Sequence, residues 1–250
     1  MAPTAPRPTW RRRRHGQPGA DGAMANLVPT AIGGARLGGG SLEVGESIRR
    51  RRMVRSFEAR DVPRDVVDAL VLDALRSPTA GNARGVAWLV LQGPEETARY
   101  WDLTTTEAWR AASRRWAGLA RAPVVALSLT SPEVYVDRYG EPDKEPSGLG
   151  PPPAGGGEAA WPVPYWFGDA AFSTMALLLE AESAGLGACF LGNFRGEAAL
   201  LAALGVPPGW RLFGAVLLGH PDGADHRSPS LDRVRPGGAQ RLHRGRWRGP

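Results

Sequence analysis

Residues 47–57 read SIRRRRMVRSF. Five of the eleven are arginine, Arg49, Arg50, Arg51, Arg52 and Arg55, and Met53 and Val54 sit inside the charge. Arginine forks bind phosphate oxygens bidentately and stay charged at any working pH. Taken alone, such a run fits a nucleic-acid contact, a membrane surface, a leader signal, a small phosphate site or a solvated basic patch. The patch is the commonest of these. What surrounds the run decides among them.

The charge is unevenly spread along the 250 residues. Residues 1–60 carry a net +8, residues 61–210 a net −7 and residues 211–250 a net +5, which gives the overall +6. A nucleic-acid-binding module carries its charge across one folded face. Here the middle is acidic and the ends are basic. That pattern means either two floppy tails or two ends meeting at one anionic ligand. Hydrophobic residues at 42% and charged residues at 22% describe a globular chain able to bury a core. Cys189 is the only cysteine, so no internal disulfide forms, and no Cys/His cluster suits a metal. A reducing cytoplasm is the expected compartment. No apolar run reaches the ~18–20 residues of a membrane span.

Residues 1–40 are rich in Pro, Gly, Ala and Arg without any period, and are expected to be a disordered extension. Arg11, Arg12, Arg13 and Arg14 precede a stretch broken by Pro29, Gly33 and Gly34, a poor core for an export signal. The ordered chain is expected to begin near Leu42, with residues 41–250 as one domain.

A short helix is predicted over 42–52. A second follows Asp61, Val62 and Pro63 and runs to about Leu75, with Val67, Leu70, Val71 and Ala74 at helical spacing. Residues 87–92, 123–130, 188–192 and 212–218 read as short buried strands. Residues 95–120 read as helix, with Trp101, Trp109 and Trp116 on a packing face. Residues 131–164, centred on PSGLGPPPAGGG, read as a long irregular insertion, either a lid or binding loop or a disordered segment, with aromatic edges. Residues 169–184 are apolar on most sides, which predicts a helix buried in a domain centre or a subunit interface. Residues 196–204 read as a small helix. Helices and strands alternate irregularly, without tandem βαβ units, so the expected class is α+β.

A second motif follows the arginines. Residues 77–85, SPTAGNARG, form a turn-rich loop after a helix. Thr79 and Asn82 are compact polar groups, and an asparagine amide matches the edge of a heteroaromatic ring. The order Arg-Arg-x-x-Arg-x-Phe, a helix, then Ser-Pro-Thr-x-x-Asn, is followed by the insertion, by AGLGACFLG at 184–192, and by a basic Arg-x-Arg-Pro at 233–236. This order resembles the nitroreductase family of FMN-dependent oxidoreductases over roughly residues 42–247.

The resemblance implies a mostly antiparallel central sheet flanked by helices, in an intertwined homodimer whose sites lie between the subunits. It implies that Arg51, Arg52, Met53 and Arg55, with Arg233 and Arg235, hold the FMN phosphate. It places Pro78, Thr79, Asn82 and Arg84 along the ribityl chain and ring, and the backbone of Leu191 and Gly192 against the isoalloxazine. Met53 stands where the family usually has Ser, which removes one hydroxyl from the phosphate. Asn82-Ala83-Arg84-Gly85 replaces the more usual Asn-x-Gln-Pro. Arg84 then either meets the flavin's pyrimidine edge or faces solvent.

The implied activity is NAD(P)H-dependent reduction of a small organic acceptor, such as a nitroaromatic or a quinone, by ping-pong hydride transfer. The flavin carries that chemistry and no catalytic protein acid or base is assigned. Two alternatives stand beside it: a flavin-dependent dehydrogenase or oxidase of a peptide or natural product, and a non-catalytic flavin- or nucleic-acid-binding protein. No Ser nucleophile elbow or Rossmann fingerprint competes. The four histidines are scattered, and only His220, after a strand, is placed to reach a site.

Overall fold

Val124–Thr130 is buried at every position, as a near-continuous apolar strand must be when both faces of its sheet are covered. It is the second strand, β2, of a four-stranded sheet with β1 (Val86–Gln92), β3 (Gly187–Leu191) and β4 (Arg211–Gly219). The order is β1-β2-β4-β3, and every neighbouring pair is antiparallel. The computed structural model describes residues 43–225, 232–233 and 237–247. The expected extension at 1–40 lies outside these residues.

Alternating side chains divide the core in two. Val124, Ala126, Val216 and Leu218 face one cluster, closed by α2 (Arg64–Ala74) and α7 (Tyr165–Ser183). Val125, Leu127, Ala215 and Leu217 face the other, closed by α3 (Pro94–Thr104) and α8 (Glu197–Ala203). Each fully buried Val or Leu contributes roughly 1.5–3 kcal/mol, so these two layers hold the site's scaffold. The first helix, α1 (Val44–Arg50), packs on α7 and delivers the arginine run to the edge of the sheet.

The helix predicted over 95–120 is broken into α3, α4 (Glu107–Ala112) and α5 (Trp116–Leu119). The threonines explain the first break. Thr104 and Thr105 turn their hydroxyls back onto the carbonyls of Tyr100 and Trp101, each at 2.6 Å. Thr106 leaves helical geometry and accepts from the Trp109 N–H at 3.2 Å, capping α4. The three tryptophans do pack together, with ring centroids 5.2 Å and 6.1 Å apart.

The insertion is also more regular than its composition suggests. It opens with α6 (Pro132–Tyr139), started by Pro132 in its first turn. It continues through single 3-10 turns at Glu145–Ser147 and Gly157–Ala160. Buried Tyr135, Val136, Trp161 and Trp166 give it a small core of its own. Helix α7 begins a turn earlier than predicted because that turn buries Trp166. It is not buried all round: Phe172 and Met175 are 57% and 38% exposed.

Candidate active site

The arginine run ends one helix and starts an extended segment that bridges to β3. Arg51 caps α1 with ψ at 129°, so the chain leaves helical geometry there. Arg52 turns back. Its Nη1 donates to the carbonyls of Arg49, Arg50 and Arg51 at 2.8, 2.8 and 3.0 Å. A helix C-terminus leaves such carbonyls without partners and favours a cation beside them. The Arg52 guanidinium is therefore committed to the helix end. The Arg51 Nε is different: it is buried and has no hydrogen-bond partner among the described atoms. A buried guanidinium N–H left unpaired is costly, and an anionic oxygen relieves that cost.

Met53 and Val54 then meet β3, and Phe57 reaches the chain after β4. Met53 forms a parallel bridge with Ala188, and the Val54 N–H donates to the Ala188 carbonyl at 2.9 Å. The Met53 sulfur accepts from the Phe190 N–H at 3.4 Å and the side chain packs into both core clusters. Methionine at this position thus ties the strand to the core instead of offering a hydroxyl. Arg55 donates from Nη1 to the Met53 carbonyl at 2.9 Å, and its N–H donates to Asp225 at 3.0 Å. The Ser56 hydroxyl donates to Asp222 at 2.7 Å, and Arg121 pairs with that same carboxylate. Phe57 is fully buried and bridges to Pro221.

These contacts clamp the arginine strand to the segment leaving β4, the segment that leads on to Arg233 and Arg235. Arg233 is exposed, and Arg235 lies outside the described residues. Nothing in the sequence marks Asp222, Asp225 or Arg121. Their partners lie 65 to 170 residues away, so no local spacing marks them. Arg115 is likewise unmarked. It is half-buried, and together with Arg55 it pulls the Cys189 thiol downward, against the burial that raises that thiol to about 11. Cys189 is thus an inert core residue whose surroundings report two nearby cations.

Leu191 and Gly192 end β3 at a cleft of about 320 Å³, walled by Trp101, Trp109, Phe190 and Phe194. This wall is aromatic and apolar, as a flat ring system requires.

The second motif lies elsewhere. Pro78, Thr79, Asn82 and Arg84 line a cleft of about 520 Å³ with Arg76 and Asp169. The loop is tightly wound: Gly81, Asn82 and Arg84 all have positive φ, at 60°, 55° and 57°. The Thr79 hydroxyl accepts from the Arg84 N–H at 3.0 Å, and the Asn82 side-chain oxygen accepts from Arg84 Nε at 3.4 Å. Buried Asp169 accepts from the Ala80 N–H at 2.7 Å, another residue with no signal in the sequence.

The loop leads into β1, whereas Leu191, Gly192 and the arginine strand lie at β3. These are the two outer strands, with β2 and β4 between them. Three strand spacings amount to about 14 Å. The two motifs therefore line two separate clefts, one at each outer strand of the sheet.

Residues 48–145 and 157–220 match the Nitroreductase family. The chain belongs to the nitroreductase family. The eleven residues 146–156, in the Gly/Pro-rich insertion, fall outside that match. An Archaeoglobus fulgidus protein described as an NADH dehydrogenase/NAD(P)H nitroreductase is 23% identical over 203 residues, covering 80% of this chain and 96% of the relative. Among solved structures, B. megaterium NfrA2 superposes with a TM-score of 0.60 at 20% identity, over 83% of this chain and 76% of that one. A Desulfovibrio desulfuricans nitroreductase in complex with FMN gives 0.52 at 20% identity, over 79% and 99%. At these identities the likeness is one of fold, and it agrees with the antiparallel α+β sheet.

Among the described residues, no helix is long and apolar enough to cross a membrane. No group of three or more His, Cys, Asp or Glu there is placed to hold a metal ion.

Proposed function

We propose that this chain is an FMN-dependent oxidoreductase that uses NAD(P)H to reduce a small organic acceptor, such as a nitroaromatic or a quinone. The observation that carries this reading is the buried, unpartnered Arg51 Nε, in a segment braced to the strand that ends at Leu191 and Gly192. A buried cationic donor without an acceptor fits the phosphate of FMN.

A bound FMN would supply hydride transfer between NAD(P)H and the acceptor. The chain's own residues bind and orient. Arg51 and Arg55 hold the phosphate, joined by Arg233 and Arg235 from the segment that Asp222 and Asp225 tie back. Arg52 stiffens the end of α1, and Met53 fastens the strand to the core. Gly192 keeps the backbone at the end of β3 bare, so a ring can approach it closely. Trp101 and Phe190 beside it give a ring an apolar wall to lie against. NAD(P)H and acceptor occupy the same cleft in turn, which makes the kinetics ping-pong.

Pro78, Thr79, Asn82 and Arg84 lie at the opposite edge of the sheet, so they serve the flavin of a second copy. The active unit is then a homodimer, and the exposed apolar side of α7, with Tyr165, Phe172 and Met175, is its interface. Large apolar side chains left exposed on one helix face favour such burial.

The test is the absorbance spectrum of the purified protein, before and after anaerobic NADH and NADPH. Flavin bands that bleach on addition are the expected result. A colourless protein that stays colourless with added FMN overturns the reading. Bands that persist in NAD(P)H but bleach with a natural product point instead to a dehydrogenase.

A further inference from the structure

We propose that Arg138 on α6 is a positioning residue: it holds the Gly81–Asn82–Ala83–Arg84 turn, left-handed at Gly81, Asn82 and Arg84, in place, and the inserted residues 146–156 brace it from behind. The consequence for the cofactor rests on the FMN reading above; the clamp itself does not.

The turn needs an outside hold. Asn82 and Arg84 both carry positive φ, a conformation that L side chains adopt at a cost and keep only where the surroundings over-determine it. Its internal bonds are few: Asn82 N–H to the Thr79 carbonyl at 2.8 Å, Ala83 N–H to the Ala80 carbonyl at 3.1 Å, and Arg84 N–H to the Thr79 hydroxyl. One wall is α7, where Asp169 grips the Ala80 N–H at 2.7 Å. The other wall is α6.

Arg138 Nε donates to the Gly81 carbonyl at 2.8 Å. The remaining face of its guanidinium is fixed by a two-pronged pair with Asp143, both contacts at 2.7 Å. Such a fork fixes direction as well as distance. The next residue, Tyr139, lies so close to Gly81 that a Cβ there would sit 2.6 Å from its ring. Helix α6 thus presses on the turn at the one residue without a side chain.

The insertion stands behind α6. The Tyr139 ring packs edge-on against Trp161 at 4.6 Å, and Trp161 Nε1 donates to the Leu149 carbonyl at 3.1 Å. A Cβ on Gly150 would lie 2.7 Å from the Gly140 Cα, and one on Gly140 would lie 2.5 Å from Pro151. The Gly/Pro-rich composition that reads as slack in the sequence is what lets this segment pack backbone against backbone at the end of α6. The segment acts as a strut, and its force reaches Asn82 and Arg84 through Arg138.

Hydrogen exchange on the cofactor-free protein tests the clamp without any flavin, and an FMN titration tests its consequence. In Arg138→Gln, the amides of Asn82, Ala83 and Arg84 are expected to exchange at least tenfold faster, while those of β2 and β4 keep their rates. FMN affinity falls severalfold in the same variant. Arg138→Lys, which keeps a donor for the Gly81 carbonyl, restores most of the protection. Asp143→Ala frees the fork and gives a smaller rise at the same three amides, which carries the test should Arg138→Gln not fold. Unchanged exchange in the turn overturns the proposal, and so does a rise spread evenly over the whole protein. A turn that loosens in a protein that binds no FMN even as wild type supports the clamp and refutes the flavin reading.

Discussion

The main-chain N–H of Arg55 donates to the Asp225 carboxylate at 3.0 Å, joining positions 170 residues apart. It fastens the arginine strand to the chain leaving β4. The Ser56–Asp222 bond, at 2.7 Å, lies beside it. The two carboxylates hold the segments together.

The two neighbouring arginines are expected to behave differently. Arg51→Gln removes a buried donor and should weaken FMN binding about 10- to 100-fold, the roughly 1.5–3 kcal/mol of a hydrogen bond to a charged group. Arg52→Ala should change FMN affinity less than about threefold, while costing about 0.3–1 kcal/mol of stability at the end of α1. Flavin fluorescence titration and thermal melts separate the two. Equal losses of affinity would put Arg52 on the phosphate.

Phe172→Glu places a charge on the exposed apolar side of α7. The variant is expected to sediment as a monomer and to bind FMN at least tenfold more weakly than wild type, since each cleft loses its complement. A dimeric variant with normal affinity would move the interface off this helix.

Two groups predict how stability depends on pH. The Ser56 hydroxyl, then the Ala224 N–H, hold the Asp222 carboxyl below the usual carboxylate range. Its contribution is therefore present above the unfolded value of about 3.9 and is lost as pH falls through the folded value. Burial, and next the charge of Arg60, lower the His220 imidazole. Its contribution is present above about 6.5 and is lost as pH falls through its folded value. Melting temperature against pH should show both losses on the acid side. Asp222→Asn should remove the lower one and His220→Gln the upper. Profiles unchanged by either substitution contradict these assignments.

Two glycines separate fold from site. A Cβ at Gly85 would lie 2.3 Å from the fully buried Tyr135 ring. Gly85→Ala should therefore cost about 1–3 kcal/mol, a Tm drop of roughly 2–12 °C. A Cβ at Gly192 would meet only the Phe194 ring, at 3.2 Å, and that side chain is 95% exposed and free to swing. Gly192→Ala should keep its Tm within about 1 °C, as surface changes do, yet lose FMN affinity severalfold. A normal affinity would place the ring away from this backbone.

The sequence by itself determined the strands, most of the helices and the family. A short, β-branched apolar run such as 124–130 fits a strand covered on both faces, whereas the longer run at 169–184 fits a helix, and the order of the two motifs carried the rest. What it could not show was which arginine is committed to what. Arg51 and Arg52 are identical in type and adjacent, and only the end of α1 turns one guanidinium onto three carbonyls and leaves the other with a buried, unpaired Nε. Composition misled at the insertion, because glycine and proline also permit close backbone packing. The partners Asp222, Asp225, Asp169 and Arg138 left no mark in the sequence, since each acts across 50 or more residues. Hydrogen bonds of that kind are made by tertiary folding alone, and so is the placing of the two clefts at opposite edges of one sheet.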